Sequence, residues 1–213
     1  MTPVKICGLT REQDALLAWE LGAAALGFVF CAASPRYVTP ARAVELRRAL
    51  PAEAFCVGVF VDAESEEMNR VCAGAGLAAA QLHGRETPEA CAAVAVPVIK
   101  VLQPEEAADL GRARAYGAAA VLLDAPRLPG LPGGTGRLAD WNAARELARR
   151  LPLVLAGGLT PANVREAWKS VRPAALDLSS GVESAPGLKD PRKLRALFSA
   201  LPEPGGGRPC LIP

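Results

Sequence analysis

AAAVLLD, residues 118–124, is an apolar run without polar alternation that ends on a carboxylate, Asp124. Strands covered on both faces read this way, whereas half-exposed antiparallel strands alternate. The start of the chain repeats the layout, because VKIC, residues 4–7, ends a short apolar stretch on a thiol, Cys7. Further runs lie at 24–30, 55–61, 78–82, 98–102, 153–156 and 174–179. With 3–7 and 118–124 they predict eight short strands.

Amphipathic segments fill the intervals. Thr10, Thr39, Ser65 and Thr87 stand where helix N-caps are expected, ahead of REQDALLAWEL, PARAVELRRAL, EEMNRVCAGA and PEACAAV. Pro40, Pro88 and Pro161 fit the first helical position, where a missing N–H costs nothing. Later helices are expected over 105–116, 138–150, 161–170 and 191–201. This alternation predicts an α/β fold, a (β/α)8 TIM barrel built as a single domain over residues 1–201. An open doubly wound sheet would alternate in the same way, but it usually carries G-x-G-x-x-G after its first strand, and here that turn is Cys7-Gly8-Leu9-Thr10. Residues 202–213, PEPGGGRPCLIP, have the glycine and proline density of a disordered tail and fall outside the expected fold.

With 213 residues, 51% of them hydrophobic, the chain can bury one good core but is short for two ordinary domains. The 24 basic and 22 acidic residues are spread along it and leave a net charge of +2. No basic stripe suited to nucleic acid is visible, and a small phosphorylated ligand fits this balance better than a polyanion. No apolar run reaches the roughly 18 residues of a membrane span, and neither end reads as a targeting segment, so no membrane partner and a cytoplasmic location are expected. Six cysteines include no C-x-x-C pair, and His83 is the only histidine. No metal site is expected, and most of these thiols read as small buried hydrophobes in a reducing compartment.

In a barrel of this type the strand C-termini converge on one face. The positions that meet there are Cys7, Ser34 to Arg36, Asp62, His83, Asp124, Gly157-Gly158 and Ser180-Gly181. Gly157 and Gly158 follow the seventh strand and Ser180 and Gly181 the eighth, the two loops that usually cradle phosphate in such barrels. The plainer alternative is that these glycines only turn corners. Gly133-Gly134-Thr135-Gly136 reads either as a lid or as a long solvent loop. Cys7 is either a packed apolar residue or, as a thiolate polarised by Lys5 or Arg36, a base or nucleophile. For Asp124, catalysis competes with helix capping, although Ala125-Pro126 begins a loop. Arg36, in SPRYV, offers a planar fork for a carboxylate or else a surface salt bridge. His83 either touches substrate or bonds the rim. Asp177 points into or above the barrel and needs a partner there.

Taken together, KICGLT at 5–10, GFVF followed by SPRYV at 34–38, VGVFV at 57–61, QLHG at 81–84 and LLD at 122–124 resemble the phosphoribosylanthranilate isomerases. So do GGTG at 133–136, AGGLTPANV at 156–164 and DLSSGVESAPGLKD at 177–190, all in the family's order over about 3–200. The resemblance implies a cofactor-free Amadori rearrangement in tryptophan biosynthesis. By position it makes Cys7 the general base and Asp124 the general acid, with an environment that keeps the Asp124 carboxyl protonated. It gives Arg36 the anthranilate carboxylate and gives Gly157, Gly158, Ser180 and Gly181 the phosphate, while His83 and Asp177 fall in family motifs that line the substrate. Leu138, where an aromatic residue is expected, and the tail depart from the family pattern. Two rival readings are another sugar-phosphate isomerase or epimerase on the same barrel and a non-catalytic barrel that binds a phosphorylated ligand. Apolar helix faces are compatible with a homodimer.

Overall fold

The apolar runs are strands, and each pairs in parallel with the next until the last returns to the first. The computed structural model describes residues 2–102, 104–125, 139–201 and 211. In chain order the barrel comprises β1 (Val4–Ile6), α1 (Glu12–Glu20), β2 (Ala25–Val29), α2 (Pro40–Ala49), β3 (Cys56–Phe60), α3 (Ser65–Ala75), β4 (Ala79–Leu82), α4 (Pro88–Ala92) and β5 (Val98–Leu102). It continues with α5 (Pro104–Ala108), α6 (Leu110–Ala115), β6 (Ala120–Leu123), α7 (Trp141–Ala148), β7 (Leu153–Leu155), α8 (Val164–Val171) and β8 (Ala175–Leu178). A 3-10 turn (Ser180–Val182), the hairpin strands β9 (Glu183–Ala185) and β10 (Leu188–Lys189), and α9 (Pro191–Ala200) complete it. The ring closes as β1 pairs with β8, Lys5 opposite Asp177. The fold is the expected (β/α)8 TIM barrel.

Side chains alternate across each strand and so divide the core in two. Ile6, Leu26, Phe28, Phe60 and Leu155 face outward and pack with helix residues such as Ala15, Leu46, Met68 and Leu194. Ala25, Val57, Ala79, Ile99, Leu122, Val154 and Ala175 face inward and fill the barrel. A third small cluster, Cys7, Val29 and Val59 with Cys31 against it, lies beside them. Asp124 follows the inward-facing Leu122 by two residues and Cys7 follows Lys5 by two, so both face the interior at their strands' C-terminal ends.

Several local expectations are corrected. Thr10 does not cap α1: its hydroxyl donates to the Gly187 carbonyl at 2.6 Å and Arg11 takes the cap position. Ser65 is already helical, with Glu64 before it. Pro161 does not open α8, because Asn163 bonds back to the preceding loop and the helix starts only at Val164. The helix expected over 105–116 is broken at Asp109, whose carboxylate accepts from the N–H groups of Gly111 and Arg112 and caps a second segment. Thr39 and Thr87 do cap α2 and α4 with Pro40 and Pro88 behind them.

Leu138 and the Gly133–Gly136 stretch lie outside the described residues. Within the expected tail only Leu211 is described, and it is 2% exposed, packed in the interior cluster with the alanines that start β2, β4, β6 and β8. Small side chains at those strand starts leave room inside the barrel, and a leucine fills it.

Candidate active site

Cys7 ends β1 almost wholly buried, and its N–H donates to the Leu178 carbonyl of β8. Burial pushes its thiol up; Lys5 pulls back against that shift, Asp177 adds to it, and Lys189 opposes it. Cys72 shows what burial alone does, pushed up to about 11, and Cys56 reaches about 11 by burial although Arg47 opposes it. Among the described residues Cys7, Cys31, Cys56, Cys72 and Cys91 are all free thiols.

Beneath Cys7 the interior holds an ion pair. Lys5 Nζ donates to Asp177 Oδ2 at 2.9 Å, with Lys5 entirely buried. Asp177 thus has the partner that its interior position required, although its Oδ1 accepts no hydrogen bond among the described residues.

Arg36 lies over Gly8, where a β-carbon would collide with its Cδ. Its Nε and Nη2 donate to Glu183 Oε1 and Oε2 at 2.9 and 2.7 Å, a bidentate bond that raises the hold of the guanidinium on its proton. The side chain is only 12% exposed, so the surface salt bridge considered from sequence is a largely buried one. With one side of the fork committed to Glu183, the Nη1–Nη2 edge is left to address a second anion. Lys189 Nζ also donates to Glu183 Oε1, at 2.7 Å. Burial would push the Glu183 carboxyl up, but the Arg36 hydrogen bonds and Lys189 outweigh it and hold it below the usual range.

Across the mouth, His83 Nε2 stands 3.6 Å from Asp124 Oδ2. The Ala125 N–H donates to Asp124 Oδ1 at 2.7 Å. Gln81 Nε2 lies 3.4 Å from His83 Nδ1, a contact whose donor is set by the tautomer of the ring. Asp124 is 21% exposed, so its burial is partial.

The two glycine loops touch. Gly157 and Gly158 both adopt positive φ, 83° and 63°, and at Gly181 a β-carbon would overlap the Leu159 carbonyl oxygen. Only glycine lets the loop after β8 pass this close to the loop after β7. Asn163 ties the first loop, accepting from Thr160 N–H and donating to the Gly158 carbonyl. Among the described residues the N–H groups of Gly157 and Gly158 donate to no backbone carbonyl.

Of the positions predicted to converge, Asp62 has a structural role: its carboxylate accepts from Arg85 N–H and its own N–H donates to Glu86. Glu183, Lys189 and the Glu86–Lys100 pair were not anticipated. Lys100 is fully buried, and it donates to Glu86 at 2.8 Å and to the Gly84 carbonyl, fixing the loop that carries His83. A lysine inside the strand VIKVL was the available signal, since a buried ammonium must find an anion.

Residues 4–200 match the family model described as N-(5'phosphoribosyl)anthranilate (PRA) isomerase. The N-(5'-phosphoribosyl)anthranilate isomerase of Syntrophus aciditrophicus is 48% identical over 202 residues, 94% of this chain and 87% of the relative. Monomers generated from the dimeric phosphoribosylanthranilate isomerase of Thermotoga maritima superpose with a TM-score of 0.82 at 38% identity, over 94% of this chain and 98% of theirs. A phosphoribosyl anthranilate isomerase in complex with reduced 1-(o-carboxyphenylamino)-1-deoxyribulose 5-phosphate has the same TM-score at 40% identity, over 94% and 98% of the two chains. The chain belongs to the N-(5'-phosphoribosyl)anthranilate isomerase family.

Proposed function

We propose that Cys7 and Asp124 carry out the chemistry of this phosphoribosylanthranilate isomerase as its general base and general acid. The enzyme converts N-(5'-phosphoribosyl)anthranilate into 1-(2-carboxyphenylamino)-1-deoxyribulose 5-phosphate in tryptophan biosynthesis. Asp124 gives its proton to the ribose ring oxygen, the C1–O bond breaks and the nitrogen lone pair forms an iminium. The Cys7 thiolate then takes the C2 proton, the C2–H electrons form the enolamine, and tautomerisation yields the ketone. Proton transfers alone complete this isomerisation.

The observation that carries the reading is the placement of Cys7 and Asp124, both facing inward at strand C-termini, with two strands, β8 and β7, between them around the rim. The glycine loops follow those same two intervening strands. Gly157, Gly158, Ser180 and Gly181 hold the phosphate through backbone N–H groups and the Ser180 hydroxyl. The open edge of Arg36 takes the anthranilate carboxylate, His83 orients the acid, and Asp177 lies under the base.

A homodimer is the proposed assembly, supported by the dimeric Thermotoga maritima relative; light scattering at micromolar concentration tests it. No helix among the described residues is long and apolar enough to cross a membrane. The free thiols are in keeping with a reducing, cytoplasmic setting.

The deciding experiment follows the fluorescence decay of freshly made phosphoribosylanthranilate in EDTA with wild type, Cys7→Ala and Asp124→Asn. Turnover by wild type and its collapse in both folded variants is expected. Full turnover in either variant removes that residue from the mechanism.

A further inference from the structure

Lys5, Cys7 and Gly27 meet at one point inside the barrel. Lys5 and Cys7 are two residues apart on β1 and share its inward face. Gly27 sits on the neighbouring strand, and a β-carbon there would lie 3.0 Å from Cys7 Sγ and 3.1 Å from Lys5 Cε. The lysine stem and the thiol therefore both pack close against the bare backbone of Gly27, leaving no room there for a side chain.

The setting is unusual for an ion pair. Around Lys5 and Asp177 the interior consists of side chains such as Ala25, Val57, Ile99 and Val154. A buried ion pair contributes little net stability compared with apolar residues of the same volume, because desolvation offsets the attraction between the charges. An ammonium fixed 2.9 Å from Asp177 and beside the thiol gains meaning if a negative charge forms above it. Burial favours loss of its proton, but Asp177 and Cys7 reverse that and keep Lys5 charged.

We propose that Lys5 is a positioning residue of the base, an ammonium anchored by Asp177 that serves as the counter-cation of the Cys7 thiolate. The inference rests on the reading of Cys7 as the base. Lys5 keeps its proton throughout: the thiolate takes hydrogen from C2 and becomes a thiol while the ammonium stays in place. The other charges facing Cys7 are Lys189 from β10, Arg36 from the loop after β2, Asp177 from β8 and, beyond the two outer cations, Glu183. Cys31 is a second thiol of the same cluster. Lys189 and Arg36 both bond Glu183, which leaves Lys5 as the cation on the interior side.

Two substitutions with opposite expected signs test this. In Lys5→Met the alkylation of Cys7 by iodoacetamide, read on the Cys7 peptide by mass spectrometry, should need higher pH. Its rate at pH 7 should fall about tenfold for each unit by which the midpoint rises. The kcat should fall with it while KM changes little. In Asp177→Asn the lysine faces the thiol alone, and the alkylation midpoint should move down. A merely structural pair would shift both variants in the same direction, and that result, or an unchanged midpoint in either folded variant, overturns the proposal. Should Lys5→Met fail to fold, Lys5→Gln takes its place in the same alkylation assay, because loss of the Asp177 charge by itself already lowers the midpoint. Full turnover in Cys7→Ala would refute the base reading, while alkylation of the Cys7-containing protein would still report on Lys5.

Discussion

Arg36 and Glu183, 147 residues apart in sequence, meet through two parallel hydrogen bonds of 2.9 and 2.7 Å. The bond aims the guanidinium across Gly8 towards the mouth. It also places a carboxylate between Arg36 and Lys189, so that Glu183 pairs with two cations that are buried or nearly so.

Glu183→Gln should therefore cost about 3 kcal/mol at neutral pH, since it strands buried positive charge. The folded-state carboxyl lies below the ordinary glutamate value. A lowered acid contributes stability that is complete above the unfolded-state value and is lost as pH falls through the folded one. Urea unfolding at a series of pH values should show the gap between wild type and variant constant near pH 6 and shrinking below about pH 4. A gap that widens in acid would contradict the pairing.

Gly181→Ala places a β-carbon against the Leu159 carbonyl and must push the loops after β7 and β8 apart. The expected result is a KM raised at least about tenfold, equivalent to losing one charge-assisted hydrogen bond of roughly 1.5 kcal/mol, with a smaller change in kcat. Steady-state kinetics with circular dichroism as the folding control would show it.

Lys100→Met breaks the buried pair with Glu86 and removes a donor from the Gly84 carbonyl. Destabilisation of about 3 kcal/mol is expected. Because His83 stands next to this loop, its ring protons should broaden or shift in the NMR spectrum, whereas substitution of the exposed Arg42–Glu45 pair should leave them unchanged.

Leu211→Ser tests the interior contribution of the chain's far end. Exposing a cavity beside Ala25, Ala79, Ala120 and Ala175 should cost about 2 kcal/mol and lower Tm by roughly 4–8 °C. Catalytic constants measured well below Tm should remain near wild type.

Much of the barrel was legible because burial on both faces forces strands such as AVLL and CVGVF to be apolar throughout. Cys7 and Asp124 stood out for the complementary reason, as polar ends of such runs. The ion pairs were less visible: Glu183 acquires meaning only through Arg36 and Lys189, and no local spacing announces a partner brought in by loop packing. Helix starts failed where a side chain took another bond, as Thr10 does with Gly187 and Asn163 with Gly158. The sequence of 105–116 has helix-forming residues on both sides of Asp109, yet the carboxylate's bonds to Gly111 and Arg112 N–H divide it.

Lys5 and Asp177 are separated by 172 residues and become neighbours only where the first strand joins the eighth. The surroundings of the thiol are thus completed by the same step that seals the cylinder. If the gene were cut between the fourth and fifth strands, neither fragment would possess that seam, and recovery of turnover on mixing would report ring closure itself.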